Sequence, residues 1–257
     1  MMERENALRK KLLSGGQTLG VWLQSGEPAF AEIAALAGLD FFIVDLEHGP
    51  GDVRTVTEMM RGALGSSTTG IVRVPSSEPI FIRRVLDAGA GGVLVPMVES
   101  GAEAQRVADA CRYPPRGRRG MATDVVRGAC YGMDADYLRH AHEQVLVAVQ
   151  VETRDGAANA AEIARVDGVD MIFLGPNDLS GSLGEVGNTG HPDVEAAIRR
   201  ACDAARAAGK LLGTVPFGGR TWAETFAEGF SLVATGSDIF WFREAVEKLA
   251  RAWRERT

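Results

Sequence analysis

The residues able to do chemistry in this sequence stand where short apolar runs end. Asp45-Leu46-Glu47-His48 closes the run Phe41-Phe42-Ile43-Val44, and Arg73 lies inside Ile71-Val72-Arg73-Val74. Gln150 and Glu152 flank Val151 at the end of a third run, and Asp178 follows Gly175-Pro176-Asn177 after a fourth. Two carboxylates from neighbouring run ends, Glu152 and Asp178, completed by water, form the oxygen set that Mg²⁺ or Mn²⁺ prefers. Neither His nor Cys accompanies them at matching positions, which disfavours zinc. Taken singly, each acid also reads as a helix cap or a surface residue. Arg73 in an apolar run needs an anion, since an unpaired buried cation costs several kcal/mol. Asp45 or Glu47 could supply it as an ion pair. The favoured reading is a clamp on a substrate carboxylate or enolate oxygen, because planar anions suit a guanidinium. His48 lies three positions after Asp45, which could orient its ring for proton transfer; a capping or loop histidine is the other reading. The lysines are Lys10, Lys11, Lys210 and Lys248, none within an apolar run. A Schiff base needs a lysine in the site, so carbonyl chemistry here points to a metal Lewis acid.

These groups need elements to bring them together. Apolar runs with strand character occupy Leu19–Gln24, Phe41–Asp45, Gly70–Val74, Gly92–Pro96, Val145–Val151, Met171–Gly175, Leu211–Val215 and Leu232–Thr235. Helix-period segments lie between and after them, at Ala29–Leu36, Val53–Ala63, Ile80–Ala88, Ala102–Cys111, Ala157–Ala164, Pro192–Ala208, Ala223–Ala227 and Ile239–Arg254. A phrase recurs in which a helix end, a glycine and a strand follow one another, as in AGLDFFIVD and VDGVDMIFLG. The glycine suits a helix C-cap. Runs such as FFIV and VLVAV suit a parallel sheet covered on both faces. Eight such alternations in 257 residues predict one (β/α)₈ barrel domain over 1–257. In that fold, polar residues at the C-terminal ends of strands form the site. Two long connections, Tyr113–Met133 and Pro176–Gly190, are further candidates for function.

Composition narrows the class. The net charge is -6, with no run of like charges, which argues against nucleic acid or an anionic membrane as partner. No apolar stretch is long enough to span a bilayer, and no apolar h-region follows the basic start. Three cysteines without CxxC spacing fit a reducing cytoplasm. No GxGxxG follows the first strand, which argues against an NAD-linked enzyme.

The sequence resembles the HpcH/HpaI aldolase family from about Gly20 onward. The resemblance is carried by GVWLQSGEPAFAEIAALAGLDFFIVDLEHGP, VPMVESGAEAQRVADACRYPPRGRRG and VQVETRDGAANAAEIARVDGVDMIFLGPNDLSGSLG. It implies a (β/α)₈ barrel, a divalent cation (Mg²⁺, Mn²⁺ or Co²⁺), pyruvate as nucleophile and an aldehyde as acceptor. It also implies a homo-hexamer, a trimer of dimers with the last helix exchanged between subunits. Position by position, Glu152 and Asp178 match the metal ligands. His48 matches the catalytic histidine and Asp45 its carboxylate partner. Arg73 matches the arginine on the pyruvate oxygen, and Gln150 a residue beside the metal. Asp87 matches an acid that reaches a neighbouring subunit's site. Backbone amides near Asn177 and Asp178 would meet the pyruvate carboxylate. The implied activity is cleavage or formation of 4-hydroxy-2-oxo acids. Oxaloacetate decarboxylation on the same centre, or a non-catalytic barrel that binds a 2-oxo acid, are the alternatives. The sequence departs from the family at Asn177, where Ala or Ser is common, and over Gly213–Gly219. Arg116, Arg118 and Arg119 read as an ion-pair scaffold.

Overall fold

The computed structural model describes residues 5–256. Among these, eight parallel strands close into a barrel in sequence order: β1 Thr18–Leu23, β2 Phe41–Asp45, β3 Thr69–Arg73, β4 Gly92–Val95, β5 Leu146–Val151, β6 Met171–Leu174, β7 Leu211–Thr214 and β8 Leu232–Ser237. Each strand pairs with the next, and β8 returns to β1. The predicted barrel is thus the observed one, with strand ends shifted by a residue or two.

Side chains alternate across a strand, and the two faces build separate layers. Phe41, Ile43, Ile71, Leu94, Leu146, Ala148, Met171, Phe173, Leu232 and Ala234 fill the barrel interior. Phe42, Val44, Val72, Val93, Val95, Val147, Val149, Ile172 and Leu174 pack outward against the helices. This period places the site. One step beyond Phe41 and Ile43 on the interior face comes Asp45; beyond Ile71 comes Arg73; beyond Ala148 come Gln150 and Glu152. Gly213 pairs with Phe173 in register. A Cβ there would come within 2.8 Å of the Phe173 ring and 2.7 Å of the Met171 sulfur, so interior packing requires the glycine.

The helices are α1 Ala7–Leu13, α2 Pro28–Leu36, α3 Val53–Gly62, α4 Pro79–Asp87, α5 Gly101–Cys111, α6 Tyr137–His140, α7 Arg154–Ala158, α8 Ala160–Ala164, α9 Pro176–Ser182, α10 Pro192–Ala207, α11 Trp222–Ala227 and α12 Asp238–Arg254. The segment read as one helix, Ala157–Ala164, belongs to two short helices that part at Asn159. The Tyr113–Met133 connection carries a 3₁₀ stretch, Arg127–Gly132. The Pro176–Gly190 connection opens with α9.

α1 closes the N-terminal end of the barrel, the foot. Its Leu8 and Leu12 are buried with the interior layer. Arg9 pairs with Asp170 at 3.0 Å and Lys11 with Asp40 at 2.6 Å, which ties the helix to the strand starts. α12 is the opposite case. Asp238 is its one buried residue, and Phe242, Leu249 and Trp253 are mostly exposed. No helix among the described residues is long and apolar enough to cross a membrane.

Candidate active site at the barrel mouth

At the C-terminal end of the strands, Asp45 and Arg73 are partners in register across β2 and β3. Arg73 donates from Nε to Asp45 Oδ1 at 2.9 Å and from Nη2 to Oδ2 at 2.6 Å. Its Nη1 lies 3.2 Å from Glu47 Oε2, and its guanidinium sits 4.5 Å over the Trp22 ring. The buried ion pair considered from sequence is therefore present. Burial opposes ionisation of Asp45, but the Arg73 contacts outweigh it and hold the carboxyl below its usual range. A guanidinium has five N–H donors, so the two bonds to Asp45 leave donors for a ligand oxygen.

Asp45 also accepts from Gln24 Nε2 at 3.0 Å and from the backbone N–H groups of Glu47 and His48 at 3.1 and 3.2 Å. Here the expectation for His48 needs correcting. Asp45 fixes the backbone of His48, not its ring, because its oxygens are taken up by Arg73, Gln24 and these amides. The ring is largely exposed, and its Nε2 lies 3.8 Å from Glu47 Oε2. Glu47 is half-buried, and burial raises its pKa against the pull of Arg73.

The second half of the mouth comes from β5 and the β6–α9 turn. Glu152 is 2% exposed. Its Oε1 accepts the Met97 N–H at 2.9 Å, and its Oε2 accepts from Gln150 Nε2. Gly175 packs against the same carboxylate, and a Cβ there would collide with Oε2. That contact explains the glycine of Gly175-Pro176-Asn177-Asp178. Pro176 starts α9, and Asp178 lies in its first turn, where an acid complements the helix dipole. Glu152 and Asp178, with Asn177, line one open pocket of about 680 Å³ together with Met97, Arg154 and Val186. Burial pushes the Glu152 carboxyl up to about 7, and the neighbouring Asp178 and Glu47 add to the rise. Gln150 Oε1 is buried without a partner.

This donor set can be tested against a metal. Among the described residues, no group of three or more His, Cys, Asp or Glu surrounds a common point. A cation here would be held by two carboxylates, with water and substrate completing the shell, which is the habit of Mg²⁺ and its relatives. Like charges that crowd a buried carboxylate are what such a cation relieves. The residues fit a hard divalent ion.

Other candidates lie elsewhere. Asp87 ends α4 at the foot, where its Oδ1 accepts from Arg119 Nη2 at 2.8 Å, so it does not join the mouth of its own chain. Arg119 acts as the ion-pair scaffold expected of it. Lys210 donates to the Val166 and Val169 carbonyls at 3.0 and 2.7 Å. Burial pushes the thiols of Cys111 up to about 12 and of Cys202 up to about 11, which makes both inert. Trp22, Gln24 and Met97 were not singled out from sequence. Trp22 and Gln24 share the interior period of β1 and could have been. Met97 acts through its main-chain N–H, which leaves no sequence signal.

Comparison with known proteins places the chain in a family. The family model described as HpcH/HpaI aldolase/citrate lyase matches residues 18–245. A 5-keto-4-deoxy-D-glucarate aldolase of Klebsiella pneumoniae subsp. pneumoniae is 37% identical over 253 residues, covering 97% of each chain. A hydroxypyruvate/pyruvate aldolase of Pseudomonas aeruginosa is 39% identical over 246 residues, 95% of this chain and 91% of its own. The crystal structure of an HpcH/HpaI aldolase/citrate lyase family protein from Burkholderia cenocepacia J2315 superposes with a TM-score of 0.90 at 37% identity, covering 97% of this chain and 99% of that one.

Proposed function

The chain belongs to the HpcH/HpaI aldolase/citrate lyase family and is a carbon–carbon lyase, and from that premise we propose that it is a divalent-metal-dependent aldolase acting at the methyl carbon of pyruvate or a close 2-oxo acid. One observation supports this most: two carboxylates, Glu152 and Asp178, line one pocket within electrostatic reach of Arg73 and Glu47. Glu152 and Asp178 would hold the cation. When bound, it supplies Lewis-acid polarisation of the 2-oxo carbonyl.

The remaining steps fall to the chain. Amides in the first turn of α9, at Asn177 and Asp178, have no intrahelical acceptor and can receive the substrate carboxylate. Arg73, its plane fixed by Asp45, presents its remaining donors to the oxygen that gains charge as the methyl proton leaves; such preorganised charge is worth most in a site closed to water. Gln150 holds Glu152 in place. His48 moves the proton, through a water, to and from the methyl carbon; in cleavage it takes the proton of the C4 hydroxyl. Products are then a 2-oxo acid and an aldehyde. Relatives named for 5-keto-4-deoxy-D-glucarate and for hydroxypyruvate make a hydroxylated or acidic aldehyde the acceptor class to try first.

The assembly we propose is a hexamer in which α12 crosses to a neighbour, with Asp87 reaching a neighbouring subunit's site. α12 supports it by exposing Ile239, Phe240, Trp241, Phe242, Val246, Leu249 and Trp253 together, a patch that a monomer rarely leaves uncovered.

The test is exchange of pyruvate methyl protons in D₂O. Wild type with Mn²⁺ or Mg²⁺ should exchange them; chelated enzyme and His48→Ala should not. Exchange that survives complete removal of metal would overturn this reading. Assaying aldehyde and carbon dioxide release in parallel separates aldol cleavage from decarboxylation.

A further inference from the structure

Met97 has a backbone conformation that its own side chain does not explain. It follows β4 and Pro96 with φ of 56°, and the other non-glycine residues with positive φ among those described are Cys130 and Tyr131, in the long connection after α5. L-residues with a Cβ enter this region at a steric cost. Packing does not offset it here, because Met97 is 48% exposed on the rim of the mouth pocket. What the conformation achieves is a main-chain contact. The Met97 N–H donates to Glu152 Oε1 at 2.9 Å, and one residue later the Val98 N–H donates to the Gln150 carbonyl at 3.1 Å. Successive amides of the chain leaving β4 thus reach β5, the first to a side chain and the second to the backbone. With Gln150 on Oε2 and Gly175 close against the carboxylate, Glu152 is held from three sides.

We infer that Met97 is a positioning residue for the Glu152 carboxylate, acting through its left-handed backbone and not through its thioether. The inference rests on the reading of Glu152 as a metal ligand only for its functional consequence; the geometric claim stands apart. Backbone strain that survives at a site, with no packing to explain it, is a recognised mark of such preorganisation.

Substitutions sort by their tolerance of positive φ. Asn adopts this region readily, whereas a β-branched residue does not. Met97→Asn should therefore keep Mn²⁺ affinity, read by EPR titration of the full chain, within about twofold of wild type. Met97→Val should weaken it about tenfold, with Met97→Ala between them as the milder variant should Val impair folding. Hydrogen exchange of the residue-97 amide gives a readout independent of metal: protection should persist in wild type and Asn and fall in Val and Ala. Equal affinities in Asn and Val, or a loss in Asn as large as in Val, would overturn the inference, the second by assigning the effect to the thioether. Glu152→Gln is the control for the metal reading. Were it to bind Mn²⁺ like wild type, that reading would fail, and amide protection alone would decide the positioning claim.

Discussion

The two ends of the barrel treat charge in opposite ways. At the foot, acids meet cations one to one: Asp170 with Arg9, Asp40 with Lys11, Asp87 with Arg119. Spare oxygens are also used, since Asp40 accepts the Leu19 N–H at 3.0 Å and Asp170 the Val147 N–H at 2.9 Å. At the mouth, among the described residues, Asp45, Glu47 and Glu152 share one buried cation, Arg73, which is committed mainly to Asp45, and Asp178 adds a further acid beside Glu152. Negative charge is balanced where the protein needs a sealed end. It is left in excess at the mouth, where the proposed cation would bind. Burial of charge is by itself weak evidence of function; a cluster of like charges around a buried carboxylate whose pKa it raises is stronger evidence.

The excess negative charge at the mouth is tested most directly at the carboxylates. Glu152→Gln and Asp178→Asn should each lower pyruvate exchange by at least about 10²–10³-fold through loss of metal, measured as proton exchange at the Mn²⁺ concentration that just saturates wild type. Wild-type rates in either would show that the excess charge is idle. Arg73→Lys comes next, with kcat/KM for aldol cleavage down about 10²-fold, because an ammonium cannot hold Asp45 at two points and still present donors to substrate.

pH should act on the mouth in a defined sense. Glu152 has its pKa raised to about 7 in the folded chain. A proton then competes with the cation, so Mn²⁺ affinity should fall about tenfold per pH unit below about 7. The metal-free protein should respond the other way. A carboxyl that binds its proton more tightly when folded favours folding fully at low pH, below its free-chain value, and loses that contribution as pH rises through about 7. Thermal melts of metal-free protein between about pH 4.5 and 7, the window bounded by the usual glutamate value and the folded one, should show this loss, and Glu152→Gln should remove it.

The smallest effect belongs to the foot. Arg9→Gln should cost about 1–2 kcal/mol of stability, measured in urea, and leave Mn²⁺ affinity unchanged. A change in metal affinity there would mean that the two ends are coupled.

Much of this protein could be read from its sequence, and the limits have physical causes. Continuous apolar runs and glycine punctuation located all the barrel strands, since strands buried on both faces leave no alternative pattern. Their strand-end positions marked Asp45, Arg73, Gln150 and Glu152 as site residues, and alternation in the closed barrel turns them to the interior face. α1 has no legible sequence signal, because a seven-residue helix with two buried apolar positions has too little of its own; it exists because Leu8 and Leu12 fill the barrel foot. α9 has the sequence of a loop, since Pro-Asn-Asp and Ser-Gly-Ser favour turns and only docking against the barrel makes them helical.

The sequence by itself determined the strand order, the strand-end set of polar residues and the chemistry their types permit, because alternation and side-chain identity are local properties. Tertiary structure alone decided the pairings. Spacing suggested Asp45 for the His48 ring, yet the fold gave Asp45 to Arg73, Gln24 and two amides. It also set a strained main-chain N–H on Glu152 and sent Asp87 to the far end of the barrel. Hydrogen-bond capacity is finite and is shared among groups distant in the chain, so which partner wins depends on where the closed sheet places them.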